Sequence, residues 1–448
     1  MSTGWWDRIK REWGALAAMP QNPVTVMAPI AEEREAELRD HLATVAADSS
    51  ANGLLPLGLF EDRLHFARFL ILEGPDHPDQ YGSRLVFLAN VDGAVDRFLE
   101  QLVDKTERGI DTLFAACVGY PAQGHRSRAA RLAYLQNHLV RAQTYYINTL
   151  GRTARQIHEE DHLHQALENL LDRMAPEHYN SARQLRQALV EHVAQTPDLS
   201  WALEPAHRPG WLWRAKEQVR FVVVLGLGGM ALVWSWPLLV GWVVLLQLKE
   251  QGDPEDSQRP PLERLQRLRA DEDLAVHNQF SAVGYLKPGW VRRMTARGVL
   301  AAAQLAVRHV FNRGDLAGVP LLGLDGVDTI HFARWIMIDD DRRLLFASNY
   351  DGSLESYMVD FIDKVSWGLN VVFSNGRGYP RTRWLFFQGA KNEQRFKDYI
   401  GNHQIVTHAW HAPYQHLTAV NIANNEAIRS GLRGRMGEKA AQAWLARL

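Results

Sequence analysis

Apolar and polar positions along this chain follow two periods. Leu64-His65-Phe66-Ala67-Arg68-Phe69-Leu70-Ile71-Leu72 and Arg84-Leu85-Val86-Phe87-Leu88-Ala89 are apolar runs of strand length, while Val95, Phe98, Leu99 and Leu102 recur at helical spacing. Before them, Val24-Thr25-Val26-Met27 reads as a strand and Ala31 to Ala47, rich in Ala, Glu and Leu, as a helix. The second half predicts the same order. A helix over Trp290–Val310 precedes strands Thr329–Ile338 and Arg343–Ser348, then a helix carrying Leu354, Tyr357, Met358, Phe361 and Ile362. After it come an apolar strand, Arg383-Trp384-Leu385-Phe386-Phe387, a short helix from Asn392 and a last strand near Val406–Trp410. Residues 126–200 read as helical and polar, and Gln251-Gly252-Asp253-Pro254-Glu255-Asp256-Ser257 as a solvated linker.

The parallel order reflects an internal duplication. Leu57-Gly58-Leu59 and Leu64-His65-Phe66-Ala67-Arg68-Phe69 return as Leu322-Gly323-Leu324 and Ile330-His331-Phe332-Ala333-Arg334-Trp335. Asn90-Val91-Asp92-Gly93, Asp104-Lys105 and Gly119-Tyr120-Pro121 return as Asn349-Tyr350-Asp351-Gly352, Asp363-Lys364 and Gly378-Tyr379-Pro380, all at one offset of 259 residues. Each copy reads β-α-β-β-α-β, the split βαβ or ferredoxin-like unit, whose open sheet face a second copy can cover. The predicted fold is therefore α+β: two ferredoxin-like repeats packed as a pseudo-dimer, joined by a helical insertion carrying a membrane-inserted hairpin. The expected division is residues 1–20 as an amphipathic helix, 21–157 as repeat one, 158–275 as the helical region with membrane segment 221–248 and the linker, and 276–448 as repeat two.

The membrane segment rests on its length. From Phe221 to Leu248 no residue is charged, beyond the roughly 20 residues a spanning helix needs. Trp211, Trp213, Trp234, Trp236 and Trp242 precede or interrupt it, as indoles near headgroups do. Pro237 divides it into pieces too short to span, and the basic residues flanking it are balanced (Arg208, Arg214, Lys216, Arg220 against Lys249, Arg259, Arg264, Arg267). A kinked span and a one-leaflet hairpin both fit. Two repeats that pack together cannot lie on opposite sides of a bilayer, which favours the hairpin. Near the N-terminus, Trp5, Trp6, Ile9, Trp13 and Leu16 share one helical face beside Arg8, Lys10 and Arg11, suiting either an interfacial helix or one docked on its own core.

Composition narrows the function. The chain has 448 residues, 46% hydrophobic and 23% charged, with 50 Lys+Arg against 51 Asp+Glu, which excludes a disordered chain and argues against a nucleic-acid partner. One cysteine, Cys117, excludes an internal disulfide and any cysteine-based zinc framework, and tilts the soluble parts toward the cytoplasm. No long apolar h-region opens the chain, so no secretory signal is expected. The expected partners are a lipid bilayer and a lipid-soluble small molecule, with oligomerisation left open.

Candidate chemistry gathers in repeat two. His403, His408, His411 and His416 fall within 14 residues, and repeat one aligns Gln143, Tyr146 and Gly151 with the last three. His331 and Arg334 repeat as His65 and Arg68; strand alternation would point each His and Arg to opposite faces, and a structural pairing of each His with Asp92 or Asp351 is the simpler reading. His158-Glu159-Glu160-Asp161-His162 fits the HExxH spacing, but its inner positions are charged and it reads as a solvated helix face. The tandem plan resembles the dimeric α+β barrel superfamily, which includes the haem-binding dye-decolorising peroxidases and chlorite dismutases. Ser348-Asn349-Tyr350-Asp351-Gly352, like Ala89-Asn90-Val91-Asp92-Gly93, is similar to the Gly-x-x-Asp-Gly signature of those peroxidases except for its first Gly. An N-cap at a strand-to-helix turn explains Asp-Gly equally well.

The resemblance implies a haem cofactor, with His408 as first choice of iron ligand, His411 and His403 as further haem-binding candidates, and Asp351, Arg334 and His331 as catalytic residues on the distal side. Two functions follow. One is a membrane-associated haem oxidoreductase of peroxidase type acting on a lipid-soluble substrate. The other is a non-enzymatic membrane-attached binding or scaffold protein that keeps the fold without haem.

Overall fold

The structure is a computed structural model that describes residues 19–74, 82–174, 179–206, 209, 211–254, 258–270, 275–309 and 329–448. The expected N-terminal amphipathic helix, Leu322-Gly323-Leu324 and part of the expected linker lie outside the described residues.

Repeat one supplies β1 (Gln21–Pro29), α1 (Glu35–Ala47), β2 (Leu64–Leu72), β3 (Arg84–Asp92), α2 (Val95–Lys105), α3 (Glu107–Phe114), α4 (Arg128–Asn137) and β4 (Thr144–Ile147). Helices α5 (Ala154–Arg173), α6 (Ala182–Gln195), α7 (Trp211–Gln251) and α8 (Leu262–Ala270) follow. Repeat two supplies β5 (His277–Tyr285), α9 (Trp290–His309), β6 (Ile330–Ile338), β7 (Arg343–Asp351), α10 (Leu354–Phe373), a two-rung hairpin β8 (Thr382–Arg383) and β9 (Phe387–Gln388), α11 (Glu393–His403), β10 (Ala409–His411), α12 (Ala419–Gly431) and α13 (Glu438–Leu445). The chain is an α+β protein with two four-stranded antiparallel sheets, ordered β1-β3-β2-β10 and β4-β6-β7-β5.

The sheet order reveals an exchange. Strand β4 comes from repeat one but pairs with β6 of repeat two, while β10 comes from repeat two and pairs with β2 of repeat one. Just before each exchanged strand, the chain bridges the edge of its own sheet: Leu139 pairs with Val26, and Gln404 with Ala282. The N–H of Val140 donates to the Thr25 carbonyl (2.8 Å), and that of Ile405 to Ser281 (2.8 Å). The hydrogen-bonded circuit therefore closes around both sheets, leaving neither with two free edges, the arrangement that protects strands from further pairing.

Alternation sorts each strand into an outer and an inner face. Outward residues such as Val24, Val26, Phe69 and Phe87 form a core with α1 to α4, and Phe280, Ile330, Phe346 and Tyr350 form another beneath α10 and α11. Inward residues fill the space between the sheets in layers. One layer is aliphatic (Leu70, Leu72, Val86, Leu88, Ile336, Ile338, Leu345). At the far end lies an aromatic layer with Phe66, Tyr145, Phe332 and Tyr414. Between these two layers lie Arg68 and Arg334.

Helix α7 corrects one expectation. The chain does not turn back at Pro237 but runs as one helix through it, so the membrane segment is no hairpin. A proline removes a single N–H from the ladder, and an apolar helix keeps its other backbone bonds. The helix is fastened at both ends to the same body. At its start, Trp213 is buried, the buried Glu217 pairs with Arg308 (2.8 Å), and Phe221 stacks on His309. At its end, Leu246 packs on Val291 and Leu385, and the Trp242 indole N–H donates to Thr295 (3.0 Å). The buried Glu250 accepts from the Thr382 hydroxyl (2.6 Å) and the Leu385 N–H (3.1 Å).

The apolar segment expected to form a strand at 383–387 is the turn of the β8–β9 hairpin. Trp384 and Leu385 both take positive φ there (57° and 62°), held by α7 side chains. From Glu217 to Leu246 the helix runs about 43 Å, against about 26 Å between Val291 and Arg308 on α9, at 1.5 Å per residue. Among the described residues none covers its middle, and the most apolar window is unburied throughout.

Candidate functional site

The polar centre of the described residues lies at the aromatic end of the space between the two sheets, and a local irregularity builds it. The β2–β3 ladder shifts register between Leu64 and Phe66, and the β6–β7 ladder between Ile330 and Phe332. His65 and His331 are the bulge residues. A bulge re-aims a side chain, so both imidazoles point inward with Phe66 and Phe332 rather than to the opposite face that simple alternation assigned them. Their ring contacts cross the sheets: His65 lies 5.0 Å from Phe332 and His331 5.2 Å from Phe66, centroid to centroid.

Each bulge histidine meets the aspartate of its own repeat. His65 Nε2 is 2.9 Å from Asp92 Oδ1, and His331 Nε2 is 2.6 Å from Asp351 Oδ1. The second carboxylate oxygen accepts a backbone N–H at the start of the helix after the exchanged strand: Asp92 Oδ2 from Ala154 (2.7 Å), Asp351 Oδ2 from Ala419 (2.7 Å). Acceptors at a helix N-terminus satisfy donors that have no intrahelical partner and face the positive end of the dipole. Asp92 and Asp351 thus tie a bulge, a strand end and a helix start together.

The repeats part at one position. Gln21 pairs with Asp92 in the ladder, and His277 occupies the matching place opposite Asp351. The Gln21 side-chain N–H donates to the Arg152 carbonyl (2.7 Å), and His277 Nε2 meets the Leu417 carbonyl (2.5 Å). His277 Nε2 also lies 3.5 Å from Asp351 Oδ1. His277, His331 and Asp351 are all buried and each offers one ligand atom, all within 4.8 Å of one another. Burial, with His331 beside it, brings the His277 pKa down to about 3, so its ring is neutral. Tyr414 closes the layer, its hydroxyl 3.0 Å from His65 Nδ1 and its own ionisation pushed far up by burial.

One layer deeper, two arginines cross between the sheets. Arg68 donates to the carbonyls of Phe280 (2.9 Å) and Ser348 (2.8 Å), to Ser281 Oγ (2.9 Å) and to the Asn349 side chain. Arg334 returns the pattern to Val24 (2.7 Å), Ala89 (2.7 Å), Thr25 Oγ1 (3.2 Å) and the Asn90 side chain. Each guanidinium faces an aromatic ring of an exchanged strand, Trp410 at 5.1 Å and Tyr145 at 5.6 Å. Burial lowers both pKa values, to about 9 for Arg68 and about 10 for Arg334, and both remain cations at neutral pH. With Phe66 and Phe332 they pack without room for a water. Every guanidinium contact described here goes to protein, so Arg334 serves as a cross-sheet strut.

The histidines assigned to haem do not converge. His408 sits at the outer rim, Nε2 against Arg39 (2.8 Å) and Nδ1 accepting the Ile71 N–H (3.3 Å), so both ring nitrogens are engaged. His411 is wholly buried beside Ser49 (3.2 Å), on the α1 side of the first sheet. His403 lies behind the second sheet, Nδ1 bonded to the Tyr399 carbonyl (2.7 Å), beside a cavity of about 30 Å³ lined by Phe280, Tyr399 and others. Pockets that take drug-sized ligands run to roughly 300 Å³ and more. An axial ligand needs a free nitrogen over an open face, and the three candidates fit no common haem. In the HExxH segment, His158 faces Tyr414 (5.7 Å) while His162 is exposed, and His416 pairs with Asp161 (2.9 Å).

Sequence reasoning passed over His277 and Tyr414. The signal for His277 was its place against Gln21 once β1 and β5 are aligned; the signal for Tyr414 was weaker, since Thr149 aligns there. No protein-family model, curated protein or solved structure matches this chain.

Proposed function

We propose that this chain is a membrane-attached binding or scaffold protein, in which two ferredoxin-like repeats form one pseudo-dimeric barrel that α7 holds against a bilayer. The observation that carries this reading is the long apolar helix exposed along its middle while both its ends dock on one body. Trp234 is 88% exposed and Leu238 77%, surfaces that water does not favour and hydrocarbon does. Trp290, Phe386 and Phe387 are also exposed beside the end of α7, and aromatic rings favour the headgroup level. Because Glu217 and Glu250 anchor to the same body, α7 lies along one leaflet as a continuous helix with its exposed middle in the hydrocarbon; a full crossing would set two docking points of one body on opposite sides of the membrane. The filled interior supports a scaffold, since the two crossed arginines and the His65–Asp92 pair spend their hydrogen bonds on protein groups.

Alkaline carbonate washing of membranes tests the attachment. Wild type is expected in the pellet, and the pair Leu232→Arg and Val233→Arg in the supernatant with unchanged circular dichroism, since an arginine in hydrocarbon costs about 2.5–3.5 kcal/mol. Tags at the two termini are expected to share one protease sensitivity in sealed vesicles; opposite sensitivities would show a span. A Soret band on adding haemin, weakened in His408→Ala, would replace this reading with the peroxidase one.

A further inference from the structure

The two halves of the barrel interior provide an internal comparison. Repeat one joins Gln21, His65 and Asp92; repeat two joins His277, His331 and Asp351 at the matching ladder positions. The Asp351 carboxylate is buried, and its only ion-pair partners among the described residues are the two imidazoles. His277 Nδ1 is buried with no hydrogen-bond partner among the described residues, and Nε2 faces Leu417 O and Asp351. Two buried imidazole nitrogens, a carboxylate oxygen and a backbone carbonyl thus converge on one place.

We propose that His277 Nε2, His331 Nε2, Asp351 Oδ1 and the Leu417 carbonyl form a four-coordinate site for a zinc-class divalent cation. Two imidazoles and a carboxylate suit Zn²⁺ and its neighbours better than Mg²⁺ or Ca²⁺, which favour all-oxygen sets. Zinc lies about 2.0–2.2 Å from such donors, which places tetrahedral ligands roughly 3.4 Å apart. The His277–Asp351 separation of 3.5 Å already matches. The His331–Asp351 and His277–Leu417 pairs, at 2.6 and 2.5 Å, are hydrogen bonds that open by under about 1 Å as the metal replaces the shared protons. Coordination through Nε2 requires the single proton of each neutral imidazole to move to Nδ1, and a proton held beyond that one would leave to solvent. Phe66 lies 5.2 Å from both histidine rings, and Tyr414 5.5 Å from His277. That aromatic lid leaves no open coordination position, so the site is structural: it pins β5, β6 and β7 to the segment joining β10 and α12.

The test uses the full chain in detergent. The protein is dialysed against chelator, exposed to Zn²⁺ alone, desalted, and its metal content measured by mass spectrometry, with Co²⁺ as a spectroscopic probe. One ion per chain and the intense visible band of four-coordinate Co²⁺ are expected, together with a higher unfolding temperature in the zinc-loaded form. His277→Gln restores the residue that repeat one tolerates in the same place, and it is expected to lose the ion and the Co²⁺ band while keeping its circular dichroism. If that variant does not fold, X-ray absorption at the zinc edge of the loaded wild type decides: two imidazoles and two oxygens around one ion support the proposal, and any other donor set overturns it. Wild type that binds no ion, or His277→Gln that keeps one with the Co²⁺ band intact, also overturns it.

Discussion

Truncating Arg68 measures how strongly the crossed arginines hold the sheets together. Its guanidinium makes four hydrogen bonds of 2.9 Å or shorter to acceptors on β5 and β7, with the Gln279 side-chain oxygen farther off at 3.5 Å; bonds from a charged donor contribute roughly 1.5–3 kcal/mol each, or on the order of 6–12 kcal/mol for the four. Opposing this is a buried cation whose contacts are all to neutral groups. Burial, with Arg334 nearby, lowers its pKa from 12.5 to about 9, a penalty on the order of 5 kcal/mol at about 1.36 per unit. The difference leaves a net loss of about 1–7 kcal/mol for Arg68→Ala, centred near 4 kcal/mol. Arg68→Met removes the charge with the bonds and refills the volume, so about 1–3 kcal/mol is expected from the orphaned acceptors.

Arg68→Lys keeps the charge, but one ammonium cannot reach acceptors spread over two strands. The expected order of stability is wild type, then Met, then Lys and Ala together. For 448 residues the unfolding entropy is about 0.9 kcal/mol/K, so the midpoint falls by roughly 4 °C for Ala and roughly 2 °C for Met. Calorimetry on the detergent-solubilised protein at pH 7.5 reads this. A Lys variant as stable as wild type, with Met the least stable, would show that positive charge rather than the forked hydrogen bonds holds the layer, and would refute the argument.

Three further outcomes follow. Burial lowers the pKa of His411 to about 4 and of His277 to about 3, so between pH 6.5 and 4 the unfolded chain binds protons that the folded chain does not. Stability therefore falls as pH drops through that window, by on the order of 3 kcal/mol for the fully buried His411, and the midpoint of His411→Gln should vary less with pH than wild type. Asp92→Ala removes both the His65 partner and the acceptor at the start of α5; a loss of about 1–3 kcal/mol and faster amide exchange in the first turn of α5 are expected. Glu217→Ala leaves Arg308 facing an emptied docking point, so protease cleavage between residues 203 and 222 should quicken while metal content and the circular dichroism of the barrel hold.

Much of the architecture was legible because duplication repeats its own evidence. Two copies of the same strand-strand-helix run located β2, β3, β6 and β7, and the uncharged stretch located α7. The pairing of His65 and His331 with Asp92 and Asp351 also followed from the repeat. What escaped was set by long-range geometry. Nothing local in Thr144–Ile147 or Ala409–His411 says that each strand pairs with the other repeat's sheet, because both edges accept the same ladder. Alternation assigned His331 to the wrong face because a bulge inserts one residue without altering composition. Pro237 reads as a break by its intrinsic preference, whereas it removes one backbone N–H and the rest of the α7 ladder carries the helix through it. Histidine density in 403–416 pointed to a shared ligand, but the segment crosses from one sheet to the other and scatters those side chains over different surfaces.

The exchanged strands also constrain the order of events during synthesis. The first sheet takes its fourth strand from β10, and His408, just before it, receives the N–H of a residue 337 positions earlier. Repeat one therefore emerges from the ribosome with an open edge at β2 and cannot close until β10 has been made. Helix α7 emerges well before that strand, so if it binds a bilayer as we propose, its apolar surface would meet lipid while the first sheet is still open. Membrane engagement would then come first and sheet closure last, with the bilayer as the platform on which the two halves find each other. On the same reading, a break in translation after α7 would leave a fragment at the membrane with an unpaired β2, a template for the wrong strand.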